Sequence, residues 1–150
     1  MVHGTHNALE DSRNSAILIS INGELFARND AKISVFDSGY LVGDGVWEAL
    51  RLHHGTLVFW DDHSKRLWQS AAAVGMNLPF TKEELKAKVW QTLDANHMTE
   101  GVHVRIMITR GIKKTPSQDP RLTISGPNVV IIPEYKKASE QSKERGITLF

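Results

Sequence analysis

GVHVRIMITRG, residues 101–111, decides the architecture. Val102, Val104, Ile106 and Ile108 alternate with His103, Arg105, Met107 and Thr109. A period of two belongs to a strand, whose successive side chains leave opposite faces. One face is aliphatic and suits a core. The other carries a His and an Arg.

Upstream, the period changes to that of helices. DDHSKRLWQSAAAVGM (61–76) predicts a helix capped by Asp61 or Asp62, with Leu67, Ala71 and Val74 facing inward and Gly75 ending it. TKEELKAKVWQTLDANHM (81–98) predicts a second, opened by a capping box from Thr81 to Glu84 and striped by Leu85, Val89 and Leu93. Earlier still, AILISINGELFA (16–27) reads as a hairpin around Asn22-Gly23, because both residues tolerate positive φ. GVWEALRLHHGTLVF (45–59) reads as two strands across His54-Gly55, and AKISVFD (31–37) as a short extended segment.

Downstream lies a turn-rich loop, GIKKTPSQDPRLTISGP (111–127). NVVIIPEY (128–135) then predicts a buried strand ending at Pro133. The order strands, two helices, strands is that of an α+β fold: an antiparallel sheet covered on one side by a helix pair. Expected segments are a flexible stretch over 1–15, the α+β domain over 16–135, a charged linker over 136–146, and the opening strand of a truncated second domain over 147–150.

Composition narrows the function classes. The chain has 150 residues, is 41% apolar and 23% charged, and carries a net charge of +1. Those values suit one soluble domain and provide no field for nucleic acid or an anionic membrane. No run approaches the length of a membrane span, and the N-terminus lacks a signal-peptide core. With no cysteine, disulfides and thiolate chemistry are excluded, and a cytoplasmic setting is expected.

Few residues point to chemistry by themselves. Arg66, one turn into the first predicted helix, reads either as a solvated residue near two acids or as a fork for an anion. His103 and Arg105 read as a polar outer face or, with Arg110, as a carboxylate pocket. The seven histidines show no metal-ligand spacing. Gly43-Asp44-Gly45 matches neither a P-loop nor a dinucleotide fingerprint, and no Ser sits in a nucleophile elbow. Asp44 reads as a turn-stabilising residue.

The motifs taken in order are more specific. NGELFARNDAKISVFDSGYLVGDGVWEALRLHHGTLVFWDDHSKRLWQSAAAVGM (22–76), followed by VHVRIMITRG (102–111), resembles the N-terminal small domain of class IV (fold type IV) pyridoxal-phosphate-dependent aminotransferases. That group includes branched-chain and D-amino acid aminotransferases, (R)-selective amine transaminases and aminodeoxychorismate lyase. The resemblance spans residues 17 to 135.

It implies that Arg66, in His63-Ser64-Lys65-Arg66-Leu67, binds the cofactor phosphate. Val42, Trp47, His103 and Arg105 would line the substrate pocket, with Glu48 and Leu50 turned to the other side of the strand. His103 departs from the Tyr typical of branched-chain enzymes. Arg110 would hold the substrate carboxylate or act as a mobile switch.

The resemblance further implies a homodimer working on a small-molecule amino donor and a 2-oxo acid acceptor. It implies a large pyridoxal-phosphate-binding domain that carries the catalytic lysine after Phe150. Lys136, Lys137 and Lys143 do not take that role, so residues 1–150 alone are expected to be inactive. The donor expected is a D-amino acid, or a mixed set reaching branched-chain substrates and (R)-amines. A lyase of the aminodeoxychorismate type and a non-catalytic binding or assembly module are the alternatives.

Overall fold

The computed structural model describes residues 11–136 and Glu144. Most of the expected linker, the strand expected over 147–150 and residues 1–10 lie outside the described residues. Of the N-terminal stretch, Ser12–Ala16 forms a 3-10 turn capped by Asp11.

Among the described residues, six strands form one antiparallel sheet: β1 (Leu18–Ile21), β2 (Glu24–Ala27), β3 (Gly45–His53), β4 (Thr56–Leu57), β5 (Val102–Thr109) and β6 (Asn128–Tyr135). Their order across the sheet is β2-β1-β6-β5-β3-β4. Both expected hairpins are present. Asn22 and Gly23 (φ 56° and 93°) and His54 and Gly55 (φ 45° and 70°) have the paired positive φ that matches strand twist in a two-residue turn.

The alternation in β5 is that of the sequence. Val102, Val104, Ile106 and Ile108 are buried. They share the covered face with Val46, Leu50 and Leu52 of β3 and with Val129 and Ile131 of β6. Helix α2 (Trp60–Ala73) packs over β3, and α3 (Lys82–Ala95) over β1 and β6. The fold is therefore α+β with two helices on one side of the sheet. Leu85, Val89 and Leu93 are fully buried, each contributing about 2 kcal/mol of apolar transfer.

The helix ends follow local chemistry. The capping box forms at α3: Thr81 Oγ1 accepts from Glu84 N at 3.1 Å, and Glu84 Oε2 accepts from Thr81 N at 2.7 Å. At the end of α2, Gly75 takes φ 64°, Gly75 N donates to Ala72 O, and Met76 N donates to Ala71 O, a Schellman closure.

Three expectations are corrected. Neither Asp61 nor Asp62 caps α2. The cap is Phe59, at φ 54° with no side-chain hydrogen bond, because Trp60 is already helical and buried. The two acids lie in the first turn, where the helix dipole favours them. Val74 is exposed rather than inward.

AKISVFD, expected as a short extended segment, forms no ladder of its own. It makes one bridge, Asp37 to Ile112, and leads into a short helix, α1 (Ser38–Val42), capped by Asp37 and closed by Gly43 at φ 70°.

Finally, β6 runs past Pro133 to Tyr135, paired with β5 throughout. The Ser20–Ile131 pairing puts Leu18 level with Pro133, which has no N–H to offer β1. The Leu18 backbone goes instead to the Asn96 carboxamide, N–H to Oδ1 at 2.7 Å and C=O to Nδ2 at 2.9 Å. Asn14 satisfies both backbone groups of Tyr135 in the same way, at 2.9 and 2.8 Å. Side-chain amides thus replace the missing ladder.

Candidate active site

The segment leading into β3 is held from below by Asp37, which is buried. Its Oδ1 accepts from Gly39 N at 2.8 Å; its Oδ2 accepts from Thr109 Oγ1 at 2.7 Å and from Asn128 Nδ2 at 2.6 Å. One carboxylate therefore fastens α1 to the ends of β5 and β6. Gly39 is needed there, since a Cβ would stand 2.5 Å from Thr109 Cγ2.

The Gly43-Asp44-Gly45 turn is held from the side. Arg110 donates to Asp44 through Nε at 2.6 Å and Nη2 at 3.0 Å. The same guanidinium donates to Gly75 O at 2.9 Å and Val74 O at 2.7 Å. Arg110 thus ties the turn to the end of α2, with its fork taken by Asp44 and by two carbonyls just past the helix. Asp44, expected to stabilise the turn, does so through this ion pair.

With the segment so placed, β3 divides its side chains between two faces. On the open face Trp47 is 59% exposed, and the Arg105 guanidinium lies 4.5 Å from its ring centroid. Such stacking orders an arginine while leaving its hydrogen-bond donors in plane. Across the β3–β5 ladder, Arg51 sits opposite His103 and Ala49 opposite Arg105. Both Nη atoms of Arg51 donate to Lys136 O, at 3.1 and 2.7 Å. Burial, and then the charges of Lys136, Arg105 and Arg51, push His103 below its ordinary value against the weaker pull of Glu134. At neutral pH this histidine is uncharged among cations.

An open groove of about 480 Å³ adjoins this face. Arg51, His53, Phe59, His63 and His103 are among its lining residues.

On the covered face, between β3 and α2, lies a second charged cluster. Glu48 accepts from Arg66 through Nε at 2.5 Å and Nη2 at 2.7 Å, and its Oε2 lies 2.8 Å from His63 Nδ1. The Glu48 side chain is 8% exposed and that of Arg66 58%. Burial works against ionisation of Glu48, but the hydrogen bonds from Arg66 and His63, with their charges, outweigh it and hold the carboxyl below its usual range. Arg66 Nη1 makes no hydrogen bond among the described residues.

The structure thus gathers Trp47, His103 and Arg105 on one face and sets Arg66 on the other side of β3. Val42 ends α1, partly exposed. Sequence reasoning gave no role to Glu48, Asp37, Arg51 or His63. His63 and Arg66 are three apart on a helix and so share a face, which was a usable signal. Among the described residues no group of three or more His, Asp or Glu side chains is placed to hold a metal, and no helix is long and apolar enough to cross a membrane.

The chain is similar to known proteins. The family model for class IV amino-transferases matches residues 45–149. A branched-chain-amino-acid aminotransferase-like protein of Arabidopsis thaliana is 37% identical over 123 residues, covering 82% of this chain and 22% of its own length. A D-alanine aminotransferase of Bacillus licheniformis is 37% identical over 93 residues, covering 62% of this chain and 32% of its own. Among solved structures, a branched-chain aminotransferase of Thermoproteus uzoniensis crystallised with norvaline superposes with a TM-score of 0.66 at 25% identity, covering 79% of this chain and 40% of that one. The chain belongs to the class IV aminotransferase family. It spans about a fifth to a third of the length of these curated relatives.

Proposed function

We propose that this chain is the small domain of a pyridoxal-phosphate-dependent aminotransferase, which moves an amino group between an amino acid or amine and a 2-oxo acid. The observation that carries the reading is the open face: Arg105 ordered over Trp47, 4.5 Å from the ring, beside a histidine held neutral. A guanidinium fork on an ordered stem suits the carboxylate that 2-oxo and amino acids share. Trp47 and Val42 offer apolar surface to the rest of the substrate.

The donor set also fits the cofactor. Arg66 is exposed, charged and fixed on one side, with Nη1 turned to no protein partner among the described residues, so it can bind a phosphate. Pyridoxal phosphate, when bound, supplies the electron sink that makes the substrate Cα–H acidic. In this reading Arg66 anchors the phosphate, Arg105 orients the carboxylate and the neutral His103 lines the pocket. Arg110 either keeps the Gly43–Gly45 turn in place or leaves Asp44 to meet a carboxylate. The lysine that the chemistry requires is assigned to sequence following Phe150, and the isolated chain is inactive.

The D-alanine and branched-chain relatives frame the donor class, and a D-amino acid or mixed specificity is the reading put forward. A homodimer in the cytoplasm belongs to the same proposal. Exposed Val35, Phe36, Tyr40 and Ile124 offer apolar surface for a second subunit. The test is a donor panel of D-amino acids, L-branched-chain amino acids and (R)-1-phenylethylamine with 2-oxoglutarate or pyruvate. Activity confined to L-branched-chain donors would contradict the specificity.

A further inference from the structure

Glu48 is the one acid on the covered face of β3, between Val46 and Leu50, both buried. An aliphatic residue would pack there without the cost of removing a carboxylate from water. Stability therefore does not call for a carboxylate at this position. Geometry does: the two Glu48 oxygens meet Nε and Nη2 of Arg66, the side-on edge of the guanidinium plane, at 2.5 and 2.7 Å. That contact fixes the plane and leaves Nη1 at the other edge. His63 Nδ1, 2.8 Å from Oε2, holds the carboxylate from a second direction. An arginine as exposed as Arg66 would otherwise sample many rotamers.

We propose that Glu48 is the positioning residue of the phosphate site: it aims the Arg66 guanidinium and so sets how tightly the cofactor phosphate is held. This rests on the reading of Arg66 as the phosphate anchor. Glu48 touches neither cofactor nor substrate and acts only through Arg66. Its effect therefore falls on ligands that carry the phosphate and spares those that do not.

The test measures dissociation constants in the complete protein that carries this chain. The probes are pyridoxal phosphate, pyridoxal without its phosphate, and inorganic phosphate as competitor. Wild type is compared with Glu48→Gln, Arg66→Ala, the double variant and Arg66→Lys.

Glu48→Gln is expected to weaken pyridoxal phosphate and inorganic phosphate about tenfold and to leave pyridoxal within twofold. The double variant is expected to bind no worse than Arg66→Ala. Arg66→Lys, at an exposed position that tolerates change, keeps the charge but loses the two-point contact. It is expected to weaken pyridoxal phosphate nearly as much as Arg66→Ala, which keeps the proposal testable if Glu48→Gln does not fold.

Unchanged pyridoxal phosphate affinity in Arg66→Ala would overturn the phosphate reading itself. A weakened Arg66→Ala beside an unaffected Glu48→Gln, full additivity in the double variant, or wild-type affinity in Arg66→Lys would overturn the role of Glu48 and leave the anchor standing. Equal losses for pyridoxal and pyridoxal phosphate in Glu48→Gln would show a general packing role and also overturn it.

Discussion

Asp44 and Arg110, 66 residues apart in sequence, form a two-point ion pair whose distances are 2.6 and 3.0 Å. Through the same guanidinium the pair reaches the carbonyls of Val74 and Gly75, just past the end of α2. Asp44→Ala leaves a half-buried cation with two of its four contacts. The expected loss is about 2 kcal/mol in the free energy of unfolding, read from a denaturant midpoint. A change under 0.5 kcal/mol would mean that the clamp is not stabilising in solution.

Asp37 is a stricter case. It is buried and serves three neutral donors. Asp37→Ala strands Gly39 N–H, Thr109 Oγ1 and Asn128 Nδ2, at an expected cost of roughly 3 kcal/mol. Differential scanning calorimetry checks it. The melting temperature of the variant is expected to fall well below that of wild type.

His103 gives a pH signature. Its folded-state pKa lies below the unfolded one, so the unfolded chain binds the proton more readily. The folded state is favoured while the ring is neutral. Stability then falls as pH drops from about 6.5 toward the folded value. Denaturant melts between pH 7.5 and 5.5 are expected to show a smaller decline in His103→Gln than in wild type. Equal slopes would place the proton sensitivity elsewhere.

Glu48 gives the opposite limb. Its carboxyl is held below the usual range, so the stability that it contributes is present above the unfolded pKa and is lost as pH falls through the folded one. Glu48→Gln is expected to flatten the decline below about pH 4.5. An unchanged acid limb in urea melts would argue that the Glu48–Arg66 contact is not kept in solution.

What the chain disclosed in advance follows from the range of each interaction. The alternation in β5, the Thr81–Glu84 box and Gly75 are local, and local periodicity or capping reveals them. The cap at Phe59 was hidden because an aromatic residue in left-handed conformation carries no capping signature. Strand β6 outlasts Pro133 because Asn96 takes up the Leu18 backbone that would have faced it.

The candidate site was legible in part. His103 and Arg105 share a face by strand parity, whereas Trp47 was pointed to only by the family resemblance. The partners of Arg66 and Arg110 lie 18 and 66 residues away, and no spacing rule joins them.

The carboxylate role proposed for Arg105 has a kinetic test in the complete protein. Arg105→Gln removes a charge-assisted contact of about 1.5–3 kcal/mol. KM for the 2-oxo acid is expected to rise roughly 10–100-fold at little change in kcat. A fall in kcat with KM unchanged would move Arg105 from binding to the chemical step.

Transamination itself is the most direct test. The complete protein, loaded with pyridoxal phosphate, is incubated with 2-oxoglutarate and each of D-alanine, an L-branched-chain amino acid and (R)-1-phenylethylamine, and newly formed glutamate is quantified. Glutamate formed in proportion to donor consumed is the expected result. No amino transfer from any donor, with pyruvate released instead from a chorismate-derived substrate, would contradict the account.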